Sequence, residues 1–61
     1  MNPDYYKRKA LELEALGTED GFLEAADTWI DASRAAFDSE QKQSYKARAF
    51  EALDKAAELQ A

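Results

Sequence analysis

Cysteine and histidine are absent from this chain, and glycine and proline together supply three of its 61 residues. Without cysteine there is no disulfide staple, and without either residue no thiolate or imidazole metal site. The usual catalytic bases and nucleophiles are missing for the same reason, so an enzyme is not expected. Scarce glycine and proline argue against a turn-rich β architecture. Long apolar runs are also lacking, and nothing approaches the eighteen or so residues of a membrane span. Lys7-Arg8-Lys9 looks like the charged start of a signal peptide, but Glu12 and Glu14 interrupt any apolar stretch behind it. Met1 opens the chain and no tag is evident. A complete, soluble, cytoplasmic protein is the expectation.

What is present points to helix. Apolar residues make up 46% of positions, but thirteen of them are alanine. Alanine, leucine, glutamate and lysine are strong helix formers. Three Phe, three Tyr and one Trp argue against disorder, and the length allows one small domain over residues 1–61. Asn2-Pro3-Asp4 reads as a helix start, with a capping side chain, a proline at the first helical position and an acid at the positive end of the dipole. Gly17 suits the left-handed residue that closes a helix. Thr18-Glu19-Asp20 repeats the start signal. Asp38 and Gln41 have the spacing of a capping box, which divides the rest of the chain at Asp38–Ser39. The expected fold is all-α, a small antiparallel three-helix bundle with helices at about 3–16, 19–37 and 39–60, open to completion by dimerisation. The rival is one continuous helix over 19–60, which would need another chain to cover its apolar stripe.

Successive helical residues turn by about 100°, which assigns the faces. The first helix carries Tyr6, Ala10, Leu13 and Leu16, flanked by Tyr5. The second carries Phe22, Ala26, Trp29, Ser33, Ala36 and Phe37, with Leu23 and Ile30 at the edge. The third carries Tyr45, Ala49, Ala52, Leu53, Ala56 and Leu59, with Phe50 and Ala57 at the edge. Arcs this wide suit helices that touch two neighbours, and the expected core holds about fifteen large apolar side chains. Leu11 lies opposite the main stripe of the first helix. Leu11, Leu23, Ile30 and Phe50 are therefore the candidate contacts of a homodimer. The Trp29…Tyr45…Ala49 spacing fails the tetratricopeptide pattern, and no repeat is present.

Hydroxyl side chains have no evident activating partner, and Ser33 is expected to bond a carbonyl of its own helix. No acid-rich loop resembles a calcium or magnesium site, and a bundle di-iron site needs histidine. No metal and no cofactor are expected.

Charge is the informative feature. Between Ala10 and Glu40 there are nine acids and one base, Arg34. Asp20, Glu24, Asp27 and Asp31 form one stripe at i, i+4, i+7 and i+11, about 16 Å long. The helix dipole accounts for Asp20 and Glu24. Asp27 and Asp31 sit mid-helix, where aspartate is a poor helix former, and they repel each other across one turn. A solvated face is the plain interpretation. A surface for a protein partner with a basic face is the functional one, since a row of carboxylates attracts what phosphates attract. Size and charge are those of the small acidic inhibitors that phages and mobile elements encode, a likeness of type with no shared motif. The alternative is a DNA-binding regulator using the basic start of the third helix, Gln41 to Arg48. The acidic stripe would repel phosphates, so nucleic acid is the less favoured partner, and an anionic lipid surface is disfavoured likewise.

Overall fold

Local chemistry at three sites sets the helix boundaries. A computed structural model describes residues 2–60. The Asn2 side chain accepts a hydrogen bond from the Asp4 N–H at 2.8 Å and opens α1, Pro3–Ala15. Leu16 is the C-cap and not a helical residue, so α1 is one residue shorter than expected. Gly17 follows with φ of 68°, and its N–H donates to the Glu14 carbonyl at 3.1 Å. A side chain in that left-handed conformation is strained, which explains glycine there.

Thr18 opens α2, Glu19–Ala35, by accepting from the Gly21 N–H at 2.9 Å. Gly21 itself has a second role. A Cβ added there would lie 2.7 Å from the Leu13 carbonyl oxygen and 2.9 Å from the Thr18 hydroxyl. The end of α1 thus lies directly on the first turn of α2, and only a bare Cα permits the approach.

At the second break, Asp38 accepts from the Gln41 N–H at 2.8 Å, and Gln41 reaches back to the Phe37 N–H at 3.1 Å. This is the expected capping pair, with the glutamine return bond landing one residue early. It opens α3, Ser39–Gln60, and two separate helices replace the single long one. α2 stops at Ala35 and not at 37, because Ala36 is extended with ψ of 146°. Phe37 consequently leaves the helical face to which it was assigned and stands 81% exposed.

The three helices form a small all-α bundle. The two short connections reverse the chain at each break. α2 is central, with α1 and α3 each packed along it, while α1 and α3 meet each other only slightly. The core between them is built from Ala10, Ala25, Ala26, Ala32, Ala49 and Ala52, with Trp29 and Tyr45 as its large side chains. Tyr6, Leu13, Ile30 and Ala36 pack around its edge.

This differs from a core of about fifteen large residues. Leu16, Leu53 and Leu59 are exposed, while Ala25, Thr28 and Ala32, absent from the expected face of α2, are buried. The reason lies in helix spacing. Small residues on facing helices allow close axes, and bulky neighbours then project from the sides of the contact. α2 is covered on two sides by alanine-lined contacts, so its buried arc is wider than its large apolar residues mark.

Candidate interaction surface

Asp20, Glu24, Asp27 and Asp31 are all exposed along α2. Their positions follow from the arc just described: α2 buries the opposite sides, leaving one polar face outward. Three ion pairs occur among the described residues: Arg48–Glu14, Arg48–Glu51 and Lys55–Glu58. None involves the stripe. Arg34, one turn from Asp31, does not neutralise it. The row therefore presents four carboxylates without a cation partner among the described residues.

The candidate dimer residues lie on three different helices. Leu11, Leu23 and Phe50 are exposed, whereas Ile30 is half-buried against the core. Leu23 and Ile30 border the acidic stripe on α2, so the apolar and anionic parts of that face adjoin.

The basic start of α3 is less free than its composition suggests. Tyr45 is buried and stacks on Trp29, with ring centroids 5.6 Å apart. The Arg48 guanidinium lies 4.6 Å from the Trp29 ring centroid and donates to Glu14 at 3.0 Å. Lys42, Gln43, Ser44 and Lys46 remain exposed.

Glu14 is the residue that sequence reasoning missed. Its carboxylate accepts from the Trp29 indole N–H at 2.7 Å and from Arg48 at 3.0 Å. One carboxylate thus ties α1 to both other helices. A lone tryptophan in a small core was the available signal, because its N–H needs an acceptor once buried. The acceptor's identity was not deducible from spacing, since Glu14 lies 15 residues from Trp29 and 34 from Arg48.

Ser33 donates to the Ile30 carbonyl at 2.6 Å and Thr28 to the Glu24 carbonyl at 2.8 Å. Both hydroxyls are spent within their own helix, as expected for Ser33. No group of three or more acids that could hold a metal ion occurs among the described residues. A depression of about 370 Å³ between the starts of α1 and α3 is lined by Lys7, Asp38, Glu40, Gln41, Ser44 and Tyr45. It is an open, polar saucer, unlike the apolar clefts that enclose small ligands. No helix among the described residues is long and apolar enough to cross a membrane. Compared with protein families, curated proteins and solved structures, the chain matches none.

Proposed function

We propose that this chain is a non-enzymatic interaction protein, a small acidic regulator that masks a basic surface of another protein. The observation carrying this reading is the α2 stripe: Asp20, Glu24, Asp27 and Asp31 exposed on one rigid helix, with no cation paired to any of them among the described residues. Asp27 and Asp31 weaken the helix that carries them, through low propensity and mutual repulsion. A partner's lysines and arginines supply the counter-charge that the chain itself withholds. Leu23 and Ile30 at the border of the stripe add an apolar flank, the usual companion of charge at a protein contact.

The test is paired affinity capture from the source cell, with the native chain and the Asp27→Lys, Asp31→Lys double variant as baits. A basic protein retained by the first and lost from the second, with helicity equal by circular dichroism, is the expected result. Identical captures on both baits would remove the stripe from the function. A gel shift with random duplex DNA at low salt, where non-specific binding is strongest, covers the nucleic-acid alternative. The native chain is expected to leave the duplex unshifted.

A further inference from the structure

α3 carries a face that the bundle leaves bare. Its buried residues Tyr45, Ala49, Ala52 and Ala56 occupy one narrow stripe. Beside that stripe, at about 100° per residue, come Lys42 and Gln60, then Leu53, Lys46, Ala57 and Phe50, followed by Gln43 and Asp54. Phe50 is 64% exposed and Leu53 44%. α2 covers α3 on one side, and α1 scarcely reaches it. The second neighbour that so wide an apolar arc calls for is not supplied within the described chain.

The charges on α3 say what that neighbour is. Residues 39–49 hold three bases and one acid, and residues 50–60 hold three acids and one base. Bases toward the N-terminus and acids toward the C-terminus oppose the helix dipole, so helix stability does not explain the order. Lys46 and Asp54 share one i±4 ridge with Phe50, four residues before it and four after. They are separated by about 12 Å along the axis, too far to reach each other. Neither takes part in an ion pair among the described residues.

A ridge that reads base, aromatic, acid is complementary to its own reverse. We propose that α3 pairs with α3 of a second copy, antiparallel, about a two-fold axis at Phe50. Each Lys46 then faces Asp54 of the other copy, the two Phe50 rings meet at the axis, and Leu53 with Ala57 covers their sides. The contact is isologous, the same patch used twice. One helix pair of about 33 Å falls short of the area of a standard stable interface, so the dimer is a weak one. This proposal is independent of the α2 stripe, which lies on another helix.

Charge reversal tests both the occupant and the register. In Lys46→Asp homodimers acid faces acid, and in Asp54→Lys homodimers base faces base. An equimolar mixture of the two variants restores both pairs. Sedimentation equilibrium from about 10 µM to about 1 mM, concentrations that span a weak dimer, should show the native chain associating with concentration. Each single variant should raise the dissociation constant roughly ten-fold, and the mixture should return it to within about three-fold of native, as two exposed pairs per dimer allow. Circular dichroism of each variant establishes that the fold is retained, and Phe50→Ser serves as a charge-neutral variant that should leave a monomer. A native chain that stays monomeric to about 1 mM overturns the proposal. So does association that charge reversal leaves unchanged, or singles whose mixture does not recover.

Discussion

At the scale of single residues, the bundle depends on a few contacts that cross between helices. Glu14 is the clearest. Its carboxylate holds the Trp29 indole and the Arg48 guanidinium together, and Arg48 in turn lies over the Trp29 ring. Glu14→Ala leaves the indole N–H without its acceptor and the guanidinium with only the longer pair to Glu51 at 3.6 Å. The expected loss is about 1–3 kcal/mol by urea denaturation followed through Trp29 fluorescence, discounted toward the lower end by the partial exposure of Arg48. Trp29→Phe removes the donor and leaves space in the core, so it should also destabilise, followed by circular dichroism because the only tryptophan is gone. The two glycines give a second prediction of opposite character to helix propensity. Gly21→Ala inside a helix is ordinarily stabilising by roughly 0.5–1 kcal/mol. Here the Leu13 carbonyl at 2.7 Å blocks the new methyl group, so thermal denaturation should show destabilisation. Gly17→Ala meets open space but must hold φ near 68°, at a cost of roughly 1–2 kcal/mol.

At the scale of helices, the boundaries were legible because capping is local chemistry. Asn2, Gly17, Thr18, Asp38 and Gln41 lie within four residues of the groups they serve, so spacing alone revealed them. The buried faces were less legible. Whether Leu53 or Ala56 faces inward depends on how near α2 approaches, and that distance is a property of two helices together. Alanine at the contacts let the axes close, and the leucines moved outward. Phe37 was misplaced for a related reason, since the end of α2 at Ala35 swung it off the face it would have continued. The Asp38 cap carries a prediction at this scale: Asp38→Ala should cost about 1 kcal/mol and fray the first turn of α3, seen as faster amide exchange there. The acidic stripe gives another. Replacing Asp27 and Asp31 together by alanine removes a repulsion and two poor helix formers, and should stabilise the protein by about 0.5–1 kcal/mol in chemical denaturation. Gained stability with lost partner binding is the signature of residues kept for a surface.

At the scale of the molecule, α2 is covered on two sides and faces outward with its acidic stripe and the flanking Leu23, while α3 is covered on one and keeps Phe50 and Leu53 exposed. The stripe of the candidate site was legible in full, because i, i+4, i+7 and i+11 spacing places residues on one face whatever packs behind it. Its freedom from internal cations was not, since long side chains on other helices could have reached it. If this free carboxylate row is what meets a basic protein surface, as proposed, the complex must respond to salt. Titration of the captured partner at several salt concentrations, against the native chain and against Asp27→Lys, Asp31→Lys, tests it most directly. Attraction between exposed charges is largely screened beyond about 10 Å at 0.1 M ionic strength, and over shorter distances as salt rises. The native complex should weaken steadily with salt, and the variant should bind more weakly and with a shallower salt dependence. Affinity indifferent to salt, or equal for the two chains, would mean that the carboxylate row is not the binding surface.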